Sequence, residues 1–184
     1  MIQLDYENYP IIAAVKSDAD LETALASEVQ TIFLLKSNIM EIEAMVHRTH
    51  ACDKFLFIHM DFVDGLSKDA AGVRYLSTKG IDGIISTRTG IISAAKEAGI
   101  PCIQRFFMVD SRSVDTALES LRQSKADMIE LMPALAYKSI TKMKNSVNTP
   151  IIAGGLIERK DEVYSALNAG ASMISTGKQD LWYD

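Results

Sequence analysis

The feature that most constrains this chain is an alternation running from one end to the other. Short apolar runs are each followed by an amphipathic stretch, and no two apolar runs stand side by side. The runs predict strands at 10–15, 31–36, 55–61, 83–86, 101–108, 128–132 and 172–178, and the stretch 150–157 opens as a strand and breaks at Gly154-Gly155. Helices are expected between them at about 17–27, 38–49, 69–79, 90–98, 113–123, 139–146 and 160–168. Local chemistry supports the boundaries. Ser17 followed by Asp18 and Asp20 reads as a helix cap with acids in the first turn. Asn38 with Glu41 reads as a second cap, Gly80 and Gly99 as helix stops, and Pro133 as the end of strand six.

Strands separated by helices pair in parallel through right-handed crossovers. Eight repeats in 184 residues leave about 23 residues each, so loops are short and no inserted domain fits. The expectation is one phosphate-binding domain over residues 1–184, a compact α/β (β/α)8 TIM-type barrel. Its last helix is truncated, because only Leu181-Trp182-Tyr183-Asp184 closes the chain. The rival is an open doubly wound sheet, which normally carries a glycine fingerprint after strand one. Here Ala13-Ala14-Val15-Lys16-Ser17 has no glycine.

A chain that is 48% hydrophobic can bury a full core. Its net charge of −5 argues against general polyanion binding, so any nucleic-acid contact must come from a local patch or a second subunit. Cys52 and Cys102 are read as free thiols. No apolar run approaches the roughly 18 residues of a membrane span, and Met1-Ile2-Gln3-Leu4-Asp5 lacks the pattern of a signal peptide. A soluble cytoplasmic protein is expected.

Polar residues gather at one end of the strands: Lys16, Lys36, Arg88, Arg105, His59, Asp61 and Glu130. That asymmetry predicts a partly cationic cup at the carboxyl face, where barrel ligands bind. Alternation puts Ile129 and Leu131 toward the helices and Glu130 toward the barrel axis, where its carboxylate needs either Arg105 or ligand hydroxyls. Asp61 is expected inward at the rim, with His59 a layer deeper as a satisfied core residue. Strands seven and eight end in small residues that let peptide N–H groups approach an anion, the arrangement of a phosphate clamp. No activated nucleophile is visible, and His47 and His50 have no companions that would complete a metal site.

Several blocks resemble the glycerol-3-phosphate-responsive antiterminator family. They are His59-Met60-Asp61-Phe62-Val63-Asp64-Gly65-Leu66-Ser67, Asp82 to Arg88, Gln104-Arg105-Phe106-Phe107 with Asp110-Ser111, and Glu130 with Met132-Pro133. Pro150 to Ile157, and Ser175-Thr176 with Leu181-Trp182, complete the set. Ala134 stands where glycine is expected, and Gly177-Lys178 replaces a serine-led pair. The resemblance implies a non-enzymatic sensor, without cofactor, that binds glycerol 3-phosphate and acts on a leader mRNA to prevent transcription termination. Phosphate would then meet Gly154, Gly155, Ser175 and Thr176. Asp61, Arg88, Arg105 and Glu130 would meet the glycerol hydroxyls and the remaining charge. For RNA the best local patch is Lys138, Lys142 and Lys144, near Arg159 and Lys160 in sequence, and a homodimer would double it. The alternative is an enzyme acting on a small phosphorylated substrate, with Asp61 or Glu130 as general base.

Overall fold

The computed structural model describes residues 4–110 and 112–183; Met1-Ile2-Gln3, Ser111 and Asp184, used above, lie outside the described residues. Eight strands form the wall: β1 (Ile11–Val15), β2 (Thr31–Leu34), β3 (Phe55–His59), β4 (Gly83–Ser86), β5 (Cys102–Phe107), β6 (Met128–Met132), β7 (Ile151–Gly154) and β8 (Met173–Thr176). All pair in parallel, and β1 closes on β8 through Ile11 opposite Ile174. The rival open sheet is excluded by that closure.

The strands form where apolar side chains are wanted on both faces. Alternate residues Ile12, Phe33, Phe57, Ile85, Ile103, Ile152 and Met173 fill the barrel with Leu4, and the residues between them pack outward under the helices. Seven helices cover the outside: α1 (Asp18–Ala26), α2 (Ile42–His50), α3 (Ala70–Ser77), α4 (Thr89–Glu97), α5 (Ser113–Ser124), α6 (Tyr137–Lys144) and α7 (Lys160–Asn168). In place of an eighth helix a 3₁₀ turn, Gln179–Leu181, seats Trp182, whose indole nitrogen donates to the Thr176 carbonyl at 2.9 Å.

Ser17 caps α1 as its sequence suggests, accepting from the Asp20 N–H, and Asp69 caps α3 with two bonds of 2.9 Å. The expected Asn38 cap is absent. Asn38 accepts from Met40 N–H, and α2 begins after Glu41 without a side-chain cap. The cause is a short parallel pairing of Ser37–Asn38 with Val63–Asp64, which draws this loop across the mouth of the barrel. Strand β3 is correspondingly shorter than expected: it stops at His59, and Met60–Phe62 form a 3₁₀ turn. Strand β2 stops at Leu34, so Lys36 stands on the loop beyond it.

Candidate ligand-binding site

The interior is apolar at its base and polar at its carboxyl mouth. Continuing the alternation upward from the inner core brings His59, Arg105, Glu130, Gly154 and Ser175 inward, beside Ala14. Arg105 and Glu130 lie opposite one another on β5 and β6, and Arg105 Nε donates to Glu130 Oε2 at 2.6 Å. Both side chains are buried, at 7% and 1% exposure. The pair leaves capacity over. The terminal nitrogens of Arg105 donate to no group among the described residues, and buried Glu130 Oε1 accepts nothing.

Gly154 explains why that carboxylate fits. A Cβ there would stand 2.4 Å from Glu130 Oε1, so the missing side chain makes room for the carboxylate. Gly155 serves a different end. It turns the chain with φ +78°, a left-handed conformation that glycine adopts without strain, and stays half-exposed. The N–H groups of Gly155, Leu156 and Gly177 donate to no protein group among the described residues. Ser175 Oγ is equally uncommitted. Along the arc β7–β8–β1 the inward residues Gly154, Ser175 and Ala14 are small, and at Gly154 the Glu130 carboxylate takes up the space a side chain would need.

Thr176, grouped with these residues by sequence, faces the other way. Alternation places it with Ile174 on the helix side, where its hydroxyl donates to the Ile157 carbonyl at 2.9 Å and accepts from Lys178 N–H at 3.0 Å. It ties the β7 and β8 loops together and brings no side chain to the mouth. Asp61, expected inward at the end of a longer strand, stands instead on the 3₁₀ turn beyond β3, where strand alternation no longer sets its direction, and it is fully engaged. Ser86 Oγ donates to it at 2.6 Å, and the N–H and hydroxyl of Thr87 each donate at 2.8 Å. Burial alone would raise its pKa, but the neighbouring His59 ring and the Ser86 and Thr87 donors outweigh it and hold the carboxyl well below the usual carboxylate range. Asp61 therefore anchors the β4–α4 loop. Arg88 hangs over it at 3.9 Å, 58% exposed.

His59 departs from the expectation of a satisfied core histidine. It is 1% exposed beneath the Phe62 ring, yet Nε2 stands 3.5 Å from Asp61 Oδ2, beyond a hydrogen bond, and Nδ1 has no partner. Sequence reasoning also passed over Lys68, Asp64 and Gly65. With Lys36 and Asp61 they line a cavity of about 360 Å³ at the lip of the mouth. That cavity depends on the Ser37–Asn38 and Val63–Asp64 pairing, for which two-residue segments carry no periodic signal. Cys102 opens β5 at the far end, and burial pushes its thiol up to about 12, which leaves it inert as a nucleophile.

The basic patch on α6 is thinner than its sequence suggests. Lys142 pairs with Asp115 at 2.8 Å, and Arg159 pairs with Asp161 at 2.9 Å and Glu162 at 3.1 Å. Lys138, Lys144 and Lys160 are exposed and form no ion pair among the described residues.

A closed parallel barrel wrapped by helices, with a buried ion pair toward its carboxyl mouth, defines the class of (β/α)8 barrels. The family model described as "Glycerol-3-phosphate responsive antiterminator" matches residues 11–182, and the chain belongs to that family. The chain is 36% identical over 174 residues to the uncharacterized protein YgcP of Escherichia coli K12, covering 94% of this chain and 91% of that one. Among solved structures it resembles the glycerol uptake operon antiterminator regulatory protein of Listeria monocytogenes, at 32% identity and TM-score 0.93 over 98% of both chains. An antiterminator-related protein of Thermotoga maritima matches at 31% identity and TM-score 0.85, over 95% of this chain and 98% of that one. A putative deoxyribose-phosphate aldolase of Coccidioides immitis shares the fold at 10% identity and TM-score 0.76, over 99% of this chain and 85% of that one.

Proposed function

We propose that the chain senses glycerol 3-phosphate at the barrel mouth and, once liganded, acts on a leader mRNA to prevent transcription termination. The ligand is an effector, not a substrate, and the role requires a cytoplasmic location beside nascent RNA. The observation that carries the reading is the set of uncommitted polar groups around one mouth. Gly155, Leu156 and Gly177 N–H and Ser175 Oγ suit a phosphoryl group, while Arg105 and Glu130 remain for residual charge and hydroxyls. Family membership supplies the effector class.

RNA contact is assigned to Lys138 and Lys144, with Lys142 lending charge only when released from Asp115. Two copies would double this modest patch. Calorimetric titration with glycerol 3-phosphate tests the first half of the reading. Gly155→Asp should abolish binding, and Lys142→Glu should leave it intact. Filter binding of leader RNA, with and without ligand, tests the second half. Affinity should rise with ligand and fall steeply with salt. Failure of the wild-type protein to bind glycerol 3-phosphate would overturn the proposal.

A further inference from the structure

Buried polar atoms in folded proteins nearly always have partners, so the exceptions are informative. Among the described residues four buried side-chain atoms have none: Ser37 Oγ, His59 Nδ1, His59 Nε2 and Glu130 Oε1. Three of the four belong to two inward-facing residues in the upper barrel, His59 on β3 and Glu130 on β6. Their chemistry is specific. The Asp61 carboxylate, 3.5 Å from Nε2, favours the ring proton on that nitrogen and leaves Nδ1 as a lone-pair acceptor. Glu130 Oε1 is an acceptor as well, because Arg105 occupies only Oε2. The unpartnered buried atoms of these two residues are thus both acceptors, and the donors left over beside them are the terminal nitrogens of Arg105.

We propose that His59 Nδ1 and Glu130 Oε1 are paired acceptors for two hydroxyl donors of the ligand. The barrel would then select a three-carbon phosphomonoester with two free hydroxyls over its ketone and deoxy analogues. This deepens the reading above and rests on it. The phosphoryl group stays at the β7–β8 rim and the diol points down the barrel axis. A ketone offers one hydroxyl and a carbonyl, and the carbonyl is an acceptor facing an acceptor. A deoxy analogue leaves one acceptor buried without a partner. Sites built to bond a hydroxyl discriminate strongly against ligands that lack it.

The test is a cycle of two proteins and three probes, read by calorimetry: wild type and His59→Phe against glycerol 3-phosphate, dihydroxyacetone phosphate and 3-hydroxypropyl phosphate. Wild type should bind glycerol 3-phosphate at least tenfold more tightly than either analogue. His59→Phe should lose about tenfold for glycerol 3-phosphate and much less for 3-hydroxypropyl phosphate, so the discrimination collapses. His59→Asn guards against a packing artefact and should show the same collapse. The melting temperature of the unliganded protein should hold or rise in His59→Phe, since the change removes an unpartnered buried polar group. Equal losses for all three probes, or unchanged discrimination, would overturn the assignment of His59 while leaving glycerol 3-phosphate sensing intact. Absence of glycerol 3-phosphate binding in wild type would instead remove the reading on which it rests.

Discussion

Two largely buried carboxylates stand toward the carboxyl end of the barrel, and the protein treats them oppositely. Asp61 accepts three hydrogen bonds from its own chain, from Ser86 and from the N–H and hydroxyl of Thr87. Glu130 accepts one, from Arg105, and keeps its second oxygen empty though it is the more deeply buried of the two. Burial and charge do not show which carboxylate has acceptor capacity to spare; the count of filled acceptor positions does. Asp61 is closed off by its own loop, while Glu130 on β6 and His59 on β3 keep buried polar atoms without a partner among the described residues.

The strongest way to break this contrast is to remove Glu130. Glu130→Ala leaves the Arg105 guanidinium buried without its counterion, and stripping one partner from such a pair costs roughly 3–5 kcal/mol. Urea unfolding should show that loss. The double variant Arg105→Met with Glu130→Leu should recover most of it while binding no ligand. A double variant as unstable as Glu130→Ala would mean that the pair holds the barrel together in its own right.

Asp61 should cost less, because Thr87 is exposed and water can replace part of what is lost. Asp61→Ala is expected to destabilise by about 2–3 kcal/mol, the range of bonds to a charged acceptor. The pH dependence has a definite sign. The folded carboxyl titrates below its ordinary 3.8, so its contribution is complete above that value and drains away as pH falls through the folded one. Wild type should therefore lose stability below about pH 4 more steeply than Asp61→Asn. Parallel acid profiles would mean that Asp61 is not held ionised by its neighbours.

How much of this was legible in the sequence follows from what each signal encodes. Strand–helix alternation set out all eight repeats and the truncated end, because burial on both faces of a parallel strand requires continuous apolar runs such as Ile151-Ile152-Ala153. Period-two alternation correctly turned Glu130 inward, and the same rule applied to β8 would have turned Thr176 away from Ser175. Partners were not legible. That Asp61 is occupied and His59 is not depends on the 3₁₀ turn at Met60–Phe62 and on Thr87, the first residue beyond β4, neither of which has a period. The Ser37–Asn38 pairing was hidden for the same reason, and it diverted the residues that read as a capping box.

A smaller perturbation sharpens the role of the Glu130 carboxylate. In Gly154→Ala the new methyl would press on Glu130 Oε1 at 2.4 Å, and forcing extra volume into a packed site costs about 1–3 kcal/mol. Ligand affinity should fall with it, since the carboxylate must swing out of place. If glycine at this position served only the approach of phosphate, affinity would fall and stability would not.

The finest test lies within β8, where neighbouring hydroxyls face opposite ways. Thr176→Val removes the bonds to the Ile157 carbonyl and from Lys178 N–H, and should lower stability by about 1 kcal/mol. Its glycerol 3-phosphate affinity, measured where the variant is fully folded, should stay within about twofold of wild type. Ser175→Ala removes a hydroxyl with no protein partner, so its unfolding midpoint should hardly move while affinity falls roughly five- to tenfold, the worth of about one hydrogen bond. The crossed pattern matters more than either number, because no general softening of the barrel produces stability loss in one variant and affinity loss in the other. Were both variants to lose affinity alike, the inward–outward alternation would not be what assigns ligand contact on β8, and the phosphate would have to be held by the backbone of the β7–β8 loops alone.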